Sequence, residues 1–387
     1  MSLPHLLLCS VAIFCVLYAP QPLLSLFAQH YQITPAKAGM LMSVTMLPLA
    51  VAPICYGLIF TNRNPLKIIK TVMLLLALCC IGFAYNGQFE WMLAIRFAEG
   101  LLLPAALTAM TGYLGRTYQH NQLKRTMSWY IGSTIAGGYL GRTLAANFSV
   151  WFNWQSFYLL NAVTLALLAW WIKPKHAQLV HSTARRPLAY LKPLKQANLL
   201  SLYGAVFCMF FCFAALLNFL PFILSNDYQI SDPRLIGWVY TGYLIGACLS
   251  LFTPLLSKLS NSMWQILSGL FAVYCLTIVG MLWHHFWLFL ALFTLFCACM
   301  FMIHASAAPL ANQLSKAEAT VTNGAYVSFY YCGGALGSYL PGLIYQRWGL
   351  VYFLLSILLV CSGGLLLVWR NHRRGLSGKT ARPRESH

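Results

Sequence analysis

Residues 93–104 read LAIRFAEGLLLP and hold an arginine and a glutamate, three positions apart, within an otherwise apolar run. On an α-helix this spacing places Arg96 and Glu99 on one face, where the two side chains can pair. Burial raises the pKa of a carboxyl group and a neighbouring guanidinium lowers it, so a carboxyl in such a place can titrate near neutral pH. The stretch therefore predicts one of two roles: a proton-coupling group, or a permanent ion pair that positions its helix.

Two more polar residues interrupt apolar runs and could carry chemistry. Arg142 has no acidic residue in its own run. It is either an anchor for an anionic or carbonyl-bearing molecule, or it bonds to Glu99 or to backbone carbonyls. His304 is of the residue type that titrates in the physiological range, which makes it the second candidate for proton coupling. A lone histidine in an apolar run is, however, more often a packing residue.

The elements that must position these groups are long apolar segments. The chain has 387 residues, of which 60% are hydrophobic and 8% are charged, whereas a soluble domain carries about 25% charged residues. A helix needs about 20 apolar residues to cross a bilayer, and a β-barrel would instead show alternating segments of about ten residues. The sequence predicts an all-α integral membrane protein with 12 transmembrane helices. Their expected bounds are 6–28, 36–60, 67–86, 89–114, 126–148, 154–172, 199–224, 235–257, 263–282, 286–311, 321–345 and 350–369.

The distribution of basic residues predicts the orientation. In the loops, in the tail and at the ends of the predicted spans, 20 lysines and arginines lie on the side that holds both termini, and 3 lie on the other side. Because basic residues concentrate in cytoplasmic loops, both termini are expected in the cytoplasm, with the chain in a bacterial-type inner (plasma) membrane. The net charge of +19 then favours contact with the anionic headgroups of the lipid bilayer, and no nucleic-acid partner is expected.

A glycine-rich pattern occurs twice and divides the chain. Residues 137–144 read GGYLGRTL and residues 333–340 read GGALGSYL, in predicted spans five and eleven. A parallel repeat of six-span halves indicates two pseudo-symmetric six-helix bundles, the major facilitator architecture. The expected segments are an N-terminal bundle, 1–172, a basic cytoplasmic linker, 173–198, a C-terminal bundle, 199–370, and a cytoplasmic tail, 371–387.

The repeated glycines predict close helix packing. Small residues four positions apart share a helix face and let two helices approach closely in lipid. The alternative role is a seam along which the two halves rock against each other. The glycines assigned to packing are Gly100, Gly137, Gly138, Gly141, Gly333, Gly334 and Gly337.

Over nearly its whole length the chain resembles a major facilitator superfamily (MFS) transporter. Within that superfamily it is similar to drug:proton antiporter-like inner-membrane permeases of the YnfM type. The stretches that carry the resemblance are YAPQPLLSLFA (18–28), RFAEG (96–100), GSTIAGGYLGR (132–142) and FNW (152–154). The chain departs from the family at Thr61, where the loop after span two usually has an acidic residue, and its antiporter motif lacks the usual proline. The resemblance implies a transporter that works as a monomer.

These observations favour secondary active transport, with proton-coupled efflux of a small organic molecule by alternating access as the main hypothesis. A facilitator or importer of a small organic anion or neutral solute is the alternative, and a degenerate member with lost coupling is a further one. An enzyme is not expected, because the interior of the spans, away from their ends, holds one acidic residue and one histidine rather than a cluster of them. ATP drive is not expected, because no GxxxxGK[ST] motif is present. The 13 cysteines show no metal-ligand spacing, so neither a metal nor a cofactor is expected.

The substrate cavity is expected between the two halves. Pro20 and Pro22 predict a break in span one that makes backbone carbonyls available. Polar and aromatic residues inside the spans are the candidates for lining the cavity. They are Arg142, Tyr18, Gln21, Asn161, Asn218, Tyr243, Tyr330 and Tyr331.

Overall fold

A computed structural model describes residues 1–59, 63–85, 87–174, 196–256, 258, 260, 262–317 and 319–380. All regular structure in these residues is helical. The helices are α1 (Leu3–Tyr18), α2 (Leu24–His30), α3 (Pro35–Ile59), α4 (Pro65–Tyr85), α5 (Phe89–Thr117), α6 (His120–Trp151), α7 (Trp154–Trp170), α8 (Ala197–Phe222), α9 (Pro233–Val239), α10 (Thr241–Leu249), α11 (Thr253–Leu256), α12 (Met263–Met281), α13 (Phe286–Leu314), α14 (Ala319–Gly337) and α15 (Leu340–Thr380).

Nine helical segments of the described chain are long and apolar enough to cross a membrane. Three of the 12 predicted spans do not appear as separate segments among these nine. Helix α7 has only 17 residues, and the long part of α6 after its polar start is interrupted by glycines, serines, threonines and Arg142. The last two predicted spans lie in one segment, Val321–Arg373, which bends at Gly349. The φ of Gly349 is 78°, in the left-handed region that favours glycine.

Span one is broken where its prolines predict a break. Helix α1 ends at Tyr18, and a 3-10 turn, Gln21–Leu23, leads into α2. In a continuous helix the carbonyl of Val16 would accept the N–H of residue 20, but that residue is Pro20, which has no N–H. The break therefore leaves the carbonyl of Val16 available to a side-chain donor.

Glycines bring α6 against α1 in the first half. A Cβ atom on Gly137 would lie 2.6 Å from the carbonyl oxygen of Val11, and one on Gly141 would lie 2.7 Å from the Cα of Cys15. Because these neighbouring atoms are backbone, they cannot move aside as a side chain can. The two backbones therefore touch along this face. On another pair of helices in this half, a Cβ atom on Gly100 would overlap a backbone oxygen of α3.

The second half repeats this arrangement between α14 and α8. Cβ atoms on Gly333 and Gly337 would overlap the carbonyl oxygens of Phe207 and Phe211, respectively. The repeated sequence pattern thus corresponds to a repeated backbone contact, α6 on α1 and α14 on α8. This geometry favours the packing interpretation for these four glycines.

The two halves touch each other along several helix pairs, of which α3 with α14, α6 with α10 and α6 with α9 are examples. Between α3 and α14 the Ser43 hydroxyl donates to the carbonyl of Ala335 at 2.6 Å. Between α6 and α10 the Tyr139 hydroxyl lies 3.1 Å from Oγ1 of Thr241. Between α6 and α9 a Cβ atom on Gly237 would lie 2.7 Å from that of an alanine of α6. Because consecutive spans alternate in direction, all these contacts fall in the half of the bundle away from the two termini.

The boundaries of the two bundles stay a prediction. Most of the predicted linker, 175–195, lies outside the described residues, as do the end of the tail, 381–387, and the departure from the family pattern at Thr61.

Candidate functional site

The predicted pair of Arg96 and Glu99 is a buried ion pair. Neither side chain is accessible to solvent, and Nη1 of Arg96 lies 2.5 Å from Oε2 of Glu99. Among the residues that the structure describes, the second carboxylate oxygen, Oε1, has no hydrogen-bond partner. One oxygen of this carboxyl is thus held by the guanidinium, and the other is not.

Backbone carbonyls of two other helices accept hydrogen bonds from the other N–H groups of Arg96. Its Nη1 donates to the carbonyl of Val16 at 2.9 Å, and its Nη2 to that of Leu17 at 2.8 Å. Its Nε donates to the carbonyl of Leu41 at 3.1 Å. The break at Pro20 explains why the carbonyl of Val16 is available. Arg96 therefore ties α5 to the broken end of α1 and to α3.

Asn161 lies in the interior of the first half. Its Nδ2 donates to the carbonyl of Ala12 on α1 at 3.4 Å. One turn earlier on α7, the Tyr158 hydroxyl is buried without a hydrogen-bond partner. Asn161 was predicted to line the substrate cavity, and the structure places it between α7 and α1.

Arg142 is also fully buried, but its hydrogen-bond partners are neutral. Its Nε donates to Oε1 of Gln21, and its Nη1 donates to the carbonyl of Gly138 at 2.7 Å. Its Nη2 has no hydrogen-bond partner within the described part of the chain. The alternative that Arg142 bonds to Glu99 is not what the structure shows, because the guanidinium that holds Glu99 is that of Arg96.

Three tyrosine rings surround the Arg142 guanidinium. Its Cζ lies 4.1 Å from the ring centre of Tyr18, 4.5 Å from that of Tyr243 and 5.4 Å from that of Tyr240. Tyr18 ends α1 in the first half, whereas the other two rings belong to predicted span eight in the second half. We call this group, Arg142 with Tyr18, Tyr240 and Tyr243, the tyrosine box. It lies between the halves.

A row of hydrogen bonds runs from the tyrosine box across to α14. Nε2 of Gln21 donates to Oδ1 of Asn218, and Nδ2 of Asn218 donates to Oγ of Ser338 at 2.6 Å. The Ser338 hydroxyl donates in turn to the carbonyl of Gly334 at 2.6 Å. We call Arg142, Gln21, Asn218 and Ser338 the cross-half chain, because it joins both halves through side chains.

The remaining predicted residues form an aromatic cluster in the second half. Nδ1 of His304 lies 2.9 Å from the Tyr326 hydroxyl, and the ring of Tyr330 stacks on Phe210 at a centroid distance of 3.6 Å. The ring of Tyr331 meets Phe210 edge-on at 6.0 Å. The contacts of His304 are thus with tyrosines of its own half, and its role in proton coupling stays a prediction.

Sequence reasoning missed two members of this region. Tyr240 lies three residues before Tyr243 in the run YTGY, a spacing that puts both rings on one helix face. Ser338 lies one residue after Gly337 in the repeated glycine pattern, so the same pattern that predicted packing also contained a polar group.

Comparisons with known proteins agree with this architecture. The family model of the Major Facilitator Superfamily matches residues 6–270 and 202–386. YybF of Bacillus subtilis, an uncharacterised MFS-type transporter, is 24% identical over 374 residues, which cover 91% of this chain and 90% of YybF. The inner membrane transport protein YnfM of Escherichia coli is 24% identical over 250 residues, which cover 61% of this chain and 58% of YnfM.

A solved structure shows the same fold. A bacterial homologue of the human lysosomal transporter Spinster, in an inward-facing and occupied conformation, superposes with a TM-score of 0.75 at 13% sequence identity. The match covers 96% of both chains. With two six-span halves that pack through repeated glycines and meet around a buried arginine, the chain belongs to the major facilitator superfamily of membrane transporters.

Proposed function

We propose that this secondary transporter exports a small organic molecule in exchange for protons, and that Glu99 is the group that carries the proton. Alternating access moves a substrate site from one side of the membrane to the other by rocking one half against the other. The contacts between the halves must break during that movement. A coupling group must therefore act on those contacts when it changes its charge.

The observation that carries the proposal is the bonding of Arg96. This guanidinium holds Glu99 and also the carbonyls of Val16 and Leu17 at the break in span one. When Glu99 takes a proton, Arg96 loses its ionic partner but keeps its carbonyl acceptors. We expect the guanidinium to shift toward those carbonyls, because charge-assisted hydrogen bonds are the stronger ones.

The break in span one connects this pair to the cross-half chain. Gln21 follows Leu17 by four residues, and its amide bonds to Arg142 and to Asn218 of the second half. A movement of the carbonyls at 16 and 17 therefore shifts the residue that joins the halves. This path supports Glu99 as the coupling group although the carboxyl itself lies inside the first half.

The location of the protein is part of the same proposal. The relative YnfM is named an inner membrane transport protein, and the excess of basic residues on the side of the termini favours cytoplasmic termini. We propose a monomer in the inner membrane with both termini in the cytoplasm.

A facilitator or importer is the second candidate, and one observation favours it. The Arg96 and Glu99 side chains are both fully buried and paired, as expected of a permanent ion pair. A facilitator would use the same tyrosine box and would need no change in the charge of Glu99.

The two candidates differ in what Glu99→Gln does to proton coupling. In proteoliposomes with an imposed pH gradient, we expect one solute of a panel of anions, neutral compounds and cations to collapse the gradient. Glu99→Gln should abolish that collapse, because glutamine keeps the shape of the protonated acid but does not titrate. Counterflow of the same labelled solute, which needs no net proton movement, should continue.

Glu90→Gln is the matched control on the same helix. Glu90 is exposed and pairs with Lys37 at 2.9 Å, so its replacement should leave the collapse of the gradient unchanged. Equal collapse by Glu99→Gln and wild type would rule out Glu99 as the coupling group. Counterflow without any solute-dependent collapse in the wild type would establish a facilitator.

A further inference from the structure

We propose that the tyrosine box binds the acidic group of a small organic anion, with Arg142 as the binding residue. This inference rests on the proposed function, because it names the class of substrate that the transporter moves.

The first argument is the missing counter-charge. Ion pairs in the described chain join Lys37 to Glu90, Arg96 to Glu99 and Arg234 to Asp232. None of the ion pairs in this described part of the chain includes Arg142. Its hydrogen-bond partners are an amide and a backbone carbonyl, although its side chain is fully buried. A buried charge without a partner of opposite sign is destabilising, and such groups in membrane spans usually face a ligand or a partner. Arg96, by contrast, is a buried arginine that does have a carboxylate partner.

The second argument is the free edge of the guanidinium. Arginine binds a carboxylate best through two parallel N–H donors on one edge. Nε and Nη2 form one such edge. Among the described residues Nη2 has no partner, while Nε donates to Gln21. An incoming carboxylate would fill the free Nη2 and displace only the Gln21 oxygen. Nη1 would keep its bond to the carbonyl of Gly138.

The third argument is the surroundings of that edge. The rings of Tyr18 and Tyr243 lie within 4.5 Å of the guanidinium carbon, and a Cβ atom on Gly138 would lie 3.2 Å from both of these tyrosines. Rings this close to the guanidinium carbon, together with the tight space beside Gly138, restrict the approach to a small group. That geometry suits a small planar acid, above all a carboxylate.

The position of the box gives binding a consequence for transport. Because a carboxylate takes the place of the Gln21 oxygen on Arg142, binding breaks the first bond of the cross-half chain. The amide of Gln21 is also the group that reaches Asn218 in the second half. Loading the site thereby loosens a contact that must break when the halves move.

Three variants test the anion site in purified, full-length protein. The thermal unfolding midpoint would be measured with a library of small carboxylates and with their uncharged amides at millimolar concentration. We expect some carboxylates, and not their amides, to stabilise the wild type. Arg142→Gln should lose this stabilisation, and Arg142→Lys, which keeps the charge but not the two-donor edge, should show a weaker one.

Gln21→Glu keeps the proposal testable even if Arg142→Gln does not fold. The new carboxylate would face Arg142 as a built-in anion. We expect Gln21→Glu to unfold at a higher temperature than wild type without ligand, and to gain nothing from added carboxylates. The proposal is overturned if no carboxylate stabilises the wild type, if stabilising carboxylates act equally on Arg142→Gln, or if Gln21→Glu destabilises the protein.

Transport assays separate this proposal from the proposed function. A carboxylate that binds through Arg142 but shows no counterflow in proteoliposomes would support the binding site and overturn its role in transport. A neutral or cationic solute that is transported while carboxylates fail to bind would support the transport function and overturn the anion site.

Discussion

Arg96→Met is expected to lower the free energy of unfolding by about 3–5 kcal/mol, the usual cost of removing one partner of a buried ion pair. The variant would leave Glu99 without its guanidinium, deep inside the first half. It would also leave the carbonyl of Val16 without a donor, because Pro20 supplies no N–H. The carbonyl of Leu41 would be less affected, since it also accepts the Thr45 hydroxyl at 2.9 Å. Titration with sodium dodecyl sulfate in mixed micelles measures this loss.

Glu99→Gln and a double variant are the controls for this prediction. Glutamine still accepts a hydrogen bond from Arg96, and three backbone carbonyls accept from the same guanidinium, so Glu99→Gln should cost less than Arg96→Met. Arg96→Met combined with Glu99→Leu removes both charges and should be more stable than Arg96→Met alone. If the double variant is instead the less stable of the two, the unpaired charge on Glu99 is not the main cost of Arg96→Met. The main cost is then the loss of the hydrogen bonds from Arg96 to the backbone carbonyls.

Local spacing in the sequence was enough to predict this ion pair and the helix break that lies beside it. The three-residue separation of Arg96 and Glu99 placed them on one helix face, and proline chemistry predicted the break in span one. Both inferences depend only on the geometry of one helix. That the two features meet, with Arg96 bonded to the carbonyls at the break, depends on how α5 packs on α1, which neither run of sequence contains.

The tyrosine box shows the limit of such reasoning. Tyr18, Gln21, Asn218 and Tyr243 were each predicted to line a cavity. The structure brings three of them to Arg142 and links Asn218 to it through Gln21. The same reasoning also put Asn161 and His304 at functional positions, and their bonds lie within one half each. The sequence shows which polar residues lie inside a span. Which face a helix turns toward the other half is decided by contacts between segments that are far apart in the chain.

Glycines in different helices also differ in what they contact. Gly333 lies against α8 within one half, whereas a Cβ atom on Gly39 of α3 would overlap the carbonyl oxygen of Ser338 across the two halves. Helices within one bundle cannot separate without unfolding it. The two halves must separate during transport. The same chemical change, glycine to alanine, should therefore have different consequences at these two positions.

Gly333→Ala should destabilise the protein, and Gly39→Ala should shift its conformation. Overpacking of this kind costs about 1–3 kcal/mol, which corresponds to about a 5- to 150-fold change in the ratio of two conformations. At Gly39 the halves can escape the overlap by moving apart, so we expect the population with these contacts formed to fall by such a factor. The free energy of unfolding should change little.

A cross-link between the halves measures that population. The Ser43 hydroxyl on α3 lies 2.6 Å from the carbonyl oxygen of Ala335 on α14. Cysteines placed at these two positions, in a protein without its native cysteines, should therefore be joined by a short thiol-reactive reagent. Gly39→Ala should slow this reaction, and Gly132→Ala, where a Cβ atom meets nothing within 4 Å, should leave it unchanged. Gly333→Ala should instead lower the unfolding midpoint. Unchanged cross-linking in Gly39→Ala, or a loss of stability equal to that of Gly333→Ala, would show that the contact at Gly39 belongs to the permanent packing and does not open when the halves move.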